Sequence, residues 1–174
     1  MTKQKTILYI AMSLDGYIAR EDGSVDWLEA VEGDGDNGYG AFYEGVGSLI
    51  MGRATYDICL QLSEQWMYAG KPCYVYSRTP RPSGELVEFT SESPDRLTER
   101  LQQTSQGHIW LMGGGEIVRM FLERDLIDEM QLAIIPTVLG RGIPLFPVDT
   151  KTSGFRLDET EKHGDIVIIT YTRP

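Results

Sequence analysis

The residues that could bind a ligand lie at two junctions, where an apolar run is followed by a predicted helix. At one of them the glycine triplet 113–115 follows the apolar run 109–112 and precedes a helical pattern over residues 117–122. Glycine lets backbone approach a ligand closely, and the first turn of a helix presents unpaired N–H groups to an anion. The spacing matches neither G-x-G-x-x-G nor G-x-x-x-x-G-K-[ST], so the triplet alone leaves a phosphate site and a tight strand-to-helix turn equally open.

The other junction places a cation beside its glycine. An apolar run continues into Gly52 and Arg53, and a four-residue apolar repeat then predicts a helix over 54–62. A second guanidinium, Arg78, follows Ser77 at the end of another apolar run. Arg78 alone is more commonly a solvated surface charge. Two glycine junctions together with two arginines begin to indicate a dinucleotide with two ends to bind.

The chain of 174 residues carries 16 Lys plus Arg against 26 Asp plus Glu, which gives a formal net charge of −10. That charge argues against nonspecific binding to nucleic acid or to an anionic membrane, and it makes a local pair of arginines more informative. No apolar run approaches the ~18 residues of a membrane span, and the first residues lack the pattern of a signal peptide. Cys59 and Cys73 are expected to be reduced thiols of a cytoplasmic protein, and with 2 histidines we expect no metal site.

The order of apolar runs and helical patterns predicts the fold class. Residues 6–13 form a nearly continuous apolar run, as expected of a central strand that is covered on both faces. Helical patterns alternate with further strands, a loop is predicted over 136–147, and Gly164-Asp165 marks a hairpin between the two final strands. We therefore expect one domain over residues 1–174, a three-layer α-β-α structure with a central, mostly parallel mixed sheet and an antiparallel C-terminal hairpin.

Several short motifs occur in the order in which a known family has them. They are SLDGYIA at 13–19, MGRATY at 51–56, YSR at 76–78, MGGGE at 112–116, LIDEM at 126–130 and PTVLGRG at 136–142. Each motif is weak by itself, but together they span nearly the whole chain. In this order they resemble the dihydrofolate reductase superfamily and, more closely, its riboflavin-biosynthesis branch: the C-terminal reductase domain that accompanies pyrimidine deaminases, and its stand-alone relatives. The resemblance implies a dihydrofolate reductase-like fold with NADPH as the cofactor.

The cofactor residues that the resemblance implies belong to separate parts of the dinucleotide. The helix start after Gly52 would bind the pyrophosphate, and the glycine triplet would pass under the pyrophosphate and the nicotinamide. Ser77 and Arg78 would meet the adenosine ribose and its 2′-phosphate, a dianion that guanidinium groups bind well. A cis peptide bond between Gly113 and Gly114 is implied as well. The full set is Ala11, Ile18, Ala19, Gly52, Arg53, Ala54, Thr55, Tyr76, Ser77, Arg78, Met112, Gly113, Gly114, Gly115, Glu116 and Ile117.

The substrate side is implied by fewer residues. Asp15 and Asp36 are candidates for the proton donor, and ordered water is an equal alternative. The residues expected to contact the substrate are Trp27, Phe42, Pro136 and Gly140. Trp27 is also compatible with a core or lid aromatic.

The folate-reducing branch binds the pterin with a helix carboxylate and a strand threonine. The carboxylate position corresponds to Asp36 in an ungapped alignment, and to no acid in a gapped one, because residues 32–40 are expected to form a loop. The threonine position corresponds to Ala133. Dihydrofolate is therefore not expected to be the main substrate.

The resulting hypothesis is an NADPH-dependent reductase that transfers hydride to a C=N or C=O carbon of a small heterocyclic or ribosylaminopyrimidine-like substrate. The activity would be similar to that of a 5-amino-6-(5-phosphoribosylamino)uracil reductase or of a dihydrofolate reductase. The alternative hypothesis is a non-catalytic NADP(H)-binding sensor or partner module. The resemblance also implies a homodimer, formed through sheet edges or the C-terminal strands. From the net charge of −10 we expect no nucleic acid or membrane partner.

Overall fold

A computed structural model describes residues 3–174, and its strands and helices alternate in the order that the sequence predicts. The strands are β1 (Thr6–Ser13), β2 (Tyr17–Ala19), β3 (Val46–Gly52), β4 (Cys73–Tyr76), β5 (Val87–Thr90), β6 (His108–Gly113), β7 (Glu129–Ile135), β8 (Ile143–Pro144), β9 (Arg156–His163) and β10 (Ile166–Thr172). The helices are α1 (Tyr39–Glu44), α2 (Arg53–Leu62), α3 (Pro94–Thr104) and α4 (Gly115–Leu122), with a 3₁₀ turn at Asp26–Leu28. Within the described residues no helix combines the length and the apolar composition that crossing a membrane requires.

Eight of the strands form one sheet in the order β5-β4-β3-β6-β1-β7-β10-β9. The first six of these are parallel, and β10 pairs antiparallel with both β7 and β9. The turn between β9 and β10 contains Gly164 at φ 61°, a left-handed conformation that glycine adopts without strain. Strands β2 and β8 pair antiparallel in a separate two-stranded sheet. The mostly parallel mixed sheet and the antiparallel hairpin confirm the fold class that the sequence predicts.

Both faces of the large sheet are covered by helices, because side chains along a strand alternate between the two faces. On β6, Ile109 and Leu111 pack in a core with α3 and α4, whereas Trp110 packs in a second core with α1 and α2. Leu97 and Leu101 of α3 are fully or almost fully buried, as the helical spacing predicts. The central strand β1 contributes to both cores, which is why its sequence is apolar almost throughout.

Strands β3 and β6 are neighbours whose crossover connections leave in opposite directions. The chain passes from β3 through α2 to β4, and from β6 through α4 to β7 on the other side of β1. Because α2 and α4 cover opposite faces, a crevice opens between the carboxyl ends of β3 and β6. Open α/β sheets bind their ligands at such a topological switch point. Both glycine junctions of the sequence lie there.

The apolar repeat that predicts helix α2 does not mark the buried face of that helix. Its apolar repeat is formed by Ala54, Ile58 and Leu62, yet Leu62 is 59% exposed and the buried residue of the helix is Cys59. Cys59 packs against the sheet, so the Ala54–Ile58 side of α2 turns toward the open carboxyl edge. The repeat therefore follows a surface that lines a cleft, and not only the core.

Candidate functional site

A cleft of about 590 Å³ lies at the carboxyl ends of β4, β3, β6 and β1. Its size falls within the range of pockets that hold small molecules and cofactors. Most of the sequence-predicted cofactor residues line this one cleft, although they come from four separate segments. Those on the cleft are Ile18, Ala19, Gly52, Arg53, Ala54, Thr55, Tyr76, Ser77, Arg78, Met112, Gly114, Gly115, Glu116 and Ile117.

The cations of the cleft are two arginines from different elements. Arg53 begins α2, and its Nε donates to both carboxylate oxygens of Asp57, at 2.9 and 3.0 Å, one helical turn later. That pair leaves the two terminal nitrogens of the Arg53 guanidinium available to an anion. Arg78 follows β4, and within residues 3–174 it forms no ion pair. Two guanidinium groups thus border one cleft of an acidic protein.

Both helices that begin at the cleft lack a side chain cap on their first turn. Gly52 precedes α2 and Gly114 precedes α4, and neither can offer a side-chain acceptor to the free N–H groups of the turn that follows. The Thr55 hydroxyl lies across the cleft from Gly114: a Cβ atom placed on Gly114 would be 3.8 Å from Thr55 Oγ1. The peptide bond between Gly113 and Gly114 is cis, which confirms the expectation from the sequence. Backbone donors from two helices therefore face the same space.

The end of the cleft far from Arg78 is apolar. Ile10 of β1, Ile18 of β2 and Ile143 of β8 line it, together with Met112 at the end of β6. From β4 to β1 the sheet crosses three strand spacings, about 14 Å in all. The cleft thus has a cationic end near β4 and an apolar end near β1.

Two of the predicted cofactor residues do not line the cleft. Gly113 lies one residue away from it, between Met112 and Gly114. Ala11 packs on the other face of β1, in a cluster with Trp27 and Ala133. Successive residues of a strand point to opposite faces, so Ile10 takes the position on the cleft that we expected for Ala11.

Asp15 does not line the cleft, and its carboxylate is already engaged. It accepts hydrogen bonds from Ser13 Oγ at 2.6 Å, from the Leu139 amide at 3.1 Å and from the Gly140 amide at 2.7 Å. The Ser13 hydroxyl, followed by the two amides, holds the pKa of Asp15 below its usual value. A carboxylate that stays ionised makes a poor proton donor, so the structure argues against that role for Asp15.

Asp36 is likewise outside the cleft lining, in the loop that the sequence predicts. Its carboxylate accepts the Gly38 amide at 3.0 Å and the Gly40 amide at 2.8 Å, which satisfies donors at the start of α1. The amides of Gly40 and Gly38 lower the pKa of Asp36. The structure therefore argues against Asp36 as a proton donor, and for a role in starting the helix.

The four residues expected to contact the substrate also lie away from the cleft lining. Trp27 is 3% exposed and packs against β7 and β10, which is the core position that the sequence left open for it. Phe42 stacks on Tyr9 with a centroid separation of 4.0 Å in the core under α1. Pro136 and Gly140 belong to the loop that Asp15 binds. These expectations stay predictions for a substrate that would bind beyond the cleft.

Sequence reasoning missed several cleft residues, and for different reasons. Ile58 belongs to the apolar repeat that predicts α2, and such a repeat does not show whether a residue lines a cleft or packs in the core. Ile143 falls within a predicted loop, and no local signal indicates that it pairs with β2, more than 120 residues earlier in the chain. The missed residues are Ile10, Gly23, Val25, Ile58, Cys59, Thr79 and Ile143.

Comparison with known proteins relates this cleft to one family. The model of the RibD C-terminal domain family matches residues 4–169. The uncharacterised Bacillus subtilis (strain 168) protein YwjB is 45% identical over 172 residues, which cover 98% of this chain and 99% of YwjB. The crystal structure of a Shewanella sp. PV-4 protein, named provisionally as a riboflavin biosynthesis protein, matches this chain with a TM-score of 0.88. The two sequences are 32% identical, and the match covers 98% of this chain and 99% of the other.

A more distant structure supports the fold. The Thermotoga maritima diaminohydroxyphosphoribosylaminopyrimidine deaminase/5-amino-6-(5-phosphoribosylamino)uracil reductase has a TM-score of 0.71 at 14% identity, over 99% of this chain but 57% of its own. Its similarity shows that the dihydrofolate reductase-like fold is shared. Since the family model extends over nearly all of the sequence, including every segment that borders the cleft, this chain belongs to the RibD C-terminal domain family.

Proposed function

We propose that this chain is an NADPH-dependent reductase that acts on a C=N or C=O carbon of a small heterocyclic or ribosylaminopyrimidine-like compound. The observation that supports it most is the convergence on one cleft of two uncapped helix starts, two arginines and an apolar far end. Membership of the RibD C-terminal domain family supports the same class of activity. The name of the Thermotoga maritima protein that shares this fold includes a reductase of this type.

The residues of the cleft fit the chemistry of NADPH part by part. Arg78 would bind the 2′-phosphate, because a guanidinium group donates two parallel hydrogen bonds to a phosphate. Ser77, whose hydroxyl donates to the Thr79 carbonyl at 2.8 Å, would lie beside the adenosine ribose. The first turns of α2 and α4, with Arg53 and Thr55, would hold the pyrophosphate. A Cβ atom at Gly52 would approach Ile117 Cγ1 to 3.0 Å, so glycine avoids a close contact across the crevice at this point.

The protein's own contribution is positioning and the exclusion of water. When bound, the cofactor supplies the hydride, and the chain supplies orientation and electrostatics. Ile10, Ile18 and Ile143 form an apolar wall that would hold a planar ring and keep water from it. Among the described residues of the cleft lining, Glu116 is the one carboxylate, and its side chain is 74% exposed. We therefore propose that the proton taken up during the reduction comes from ordered water or from the surroundings of the bound substrate. Neither Asp15 nor Asp36 is proposed as its donor.

Isothermal titration calorimetry with NADPH and NADH tests the proposed cofactor. We expect NADPH to bind at least about tenfold more tightly, because a hydrogen bond to a charged group contributes about 1.5–3 kcal/mol. NADPH oxidation at 340 nm would then be screened against pterin, aminopyrimidine and quinoid acceptors. Equal affinity for the two dinucleotides, or binding of neither, would remove the proposal.

A second candidate function is a non-catalytic NADP(H)-binding sensor. This function is favoured because the described residues that line the cleft include no buried carboxylic acid and no histidine. Cys59 does line the cleft, but burial raises the pKa of its thiol. The same screen separates the two functions. Tight NADPH binding without oxidation by any acceptor would support the sensor, whereas turnover of one acceptor class would support the reductase.

We also propose that the protein forms a homodimer through its C-terminal strands. β9 is the last strand of the sheet, and all of its residues but His163 are exposed, including Leu157 at 60%. The other side chains of β9 are polar or charged, so Leu157 is the apolar side chain that pairing with another chain at this edge would bury. Light scattering after size-exclusion chromatography is expected to give twice the mass of one chain for the wild type. In Leu157→Lys the measured mass is expected to shift toward that of one chain. Leu62→Lys, on the exposed end of α2, is the matched control, and a monomeric wild type would contradict the proposal.

A further inference from the structure

The Asp15 carboxylate joins two segments that are far apart in the sequence. It lies in the turn between β1 and β2, and the amides that it accepts, from Leu139 and Gly140, belong to the loop that precedes β8. Ser13 Oγ donates to Asp15 and also accepts the Tyr17 amide at 3.0 Å. One carboxylate and one hydroxyl thus fix the entry to β2 and the loop before β8 together.

The segments that Asp15 joins form one wall of the cleft. β2 supplies Ile18 and Ala19 to the lining, and β8 supplies Ile143. The two strands pack tightly, because a Cβ atom on Gly142 would be 2.3 Å from the Ala19 carbonyl oxygen. β8 also contacts the start of α4, where a Cβ atom on Gly115 would be 2.3 Å from the Pro144 carbonyl oxygen. A displacement of the loop would therefore be transmitted to the apolar end of the cleft.

We propose that Asp15 is a positioning residue, which holds the wall formed by β2 and β8 against the apolar end of the cleft and so orders the nicotinamide half of the cofactor. This inference rests on the proposed function. The adenosine half would bind at the Arg78 end, beside β3 and β4, and none of the Asp15 contacts reaches those strands. Asp15 therefore affects one half of the dinucleotide selectively.

A carboxylate is required because both of its oxygens are used. One oxygen accepts the Ser13 hydroxyl and the Leu139 amide, and the other accepts the Gly140 amide. In Asp15→Asn one of the two positions becomes an NH₂ group, which donates and cannot accept. Whichever way the amide turns, a backbone N–H of the loop then faces a donor, and the loop loses a charge-assisted hydrogen bond.

The test compares the binding of NADPH with that of 2′,5′-ADP, which contains the adenosine half alone. Calorimetry on Asp15→Asn is expected to show a loss of about tenfold in NADPH affinity, with 2′,5′-ADP affinity within about twofold of wild type. Asp128→Asn is the matched control, since Asp128 also accepts a backbone amide, that of Thr6 at 2.8 Å, but at the opposite end of β1. Faster hydrogen exchange at the Leu139 and Gly140 amides would confirm that the substitution released the loop.

Other results would overturn the inference. An unchanged NADPH affinity in Asp15→Asn, or an equal loss for both ligands, would show that Asp15 does not act on the nicotinamide half. Failure of the wild type to bind either ligand would remove the proposed function and this inference with it. If Asp15→Asn does not fold, Ser13→Ala removes the hydroxyl that orients the carboxylate, and it is expected to show the same selective loss at a smaller size.

Discussion

Arg78→Ala is expected to weaken NADPH binding by about 10- to 100-fold while NADH binding stays within about twofold of wild type, because a hydrogen bond to a charged group contributes about 1.5–3 kcal/mol. Arg78 stands at the end of β4, on the cleft, with no ion-pair partner within the described residues. Its guanidinium is therefore available to a phosphate that NADPH has and NADH lacks. Calorimetry with the two dinucleotides measures the effect.

Two further variants make this result specific. Arg53→Ala is expected to weaken both dinucleotides by similar factors, since Arg53 lies at the helix start proposed for the pyrophosphate, which both of them carry. Arg81→Ala is the matched control, because Arg81 is exposed, contacts the Phe89 ring and lies outside the cleft lining. An equal loss of NADPH and NADH in Arg78→Ala would contradict the assignment of Arg78 to the 2′-phosphate.

Gly115→Ala is expected to lower the free energy of unfolding by about 1–3 kcal/mol, the usual result of forcing an extra group into a packed site. The added Cβ would lie 2.3 Å from the Pro144 carbonyl oxygen and 3.2 Å from that of Leu145. Both are backbone atoms, so β8 or the first turn of α4 must move. Because both elements border the cleft, NADPH affinity is expected to fall as well. Urea unfolding with and without NADPH measures both effects.

The control for this substitution is Gly154→Ala, since no atom lies within 4 Å of a Cβ placed there. Alanine also narrows the conformations of the unfolded chain, so Gly154→Ala is expected to leave stability unchanged or slightly increased. A Gly115→Ala protein as stable as the control would show that the contact between α4 and β8 relaxes without cost. It would also weaken the argument that β8 is a fixed wall of the cleft.

Local patterns were sufficient to predict most of the fold. The apolar run 6–13 coincides with β1, and the glycine triplet coincides with the junction between β6 and α4. These predictions succeed because burial and chain reversal each leave a signature within a few residues. The same holds for the arginines, since a cation directly after a buried strand lies at the carboxyl edge of the sheet.

The features that could not be predicted from the sequence depend on contacts between segments that are far apart in the chain. The side of α2 that carries Ile58 faces the cleft only because Cys59 packs on the sheet, and a helical repeat does not distinguish these surfaces. The strand β8 has two residues, and its partner lies at the other end of the chain. Asp15 resembles a catalytic acid in sequence, and its contacts with Leu139 and Gly140 become visible only in three dimensions.

The position of β1 in the sheet has a consequence for the synthesis of the chain. β1 leaves the ribosome well before its two neighbours in the sheet, β6 and β7, whose residues are translated much later. At about 5–20 residues per second, the roughly 100 residues in between correspond to about 5–20 s during which this apolar segment has no partner in the sheet. The nascent protein must therefore keep this apolar strand from aggregating until β6 and β7 emerge, which makes β1 a segment that we expect chaperones to shield.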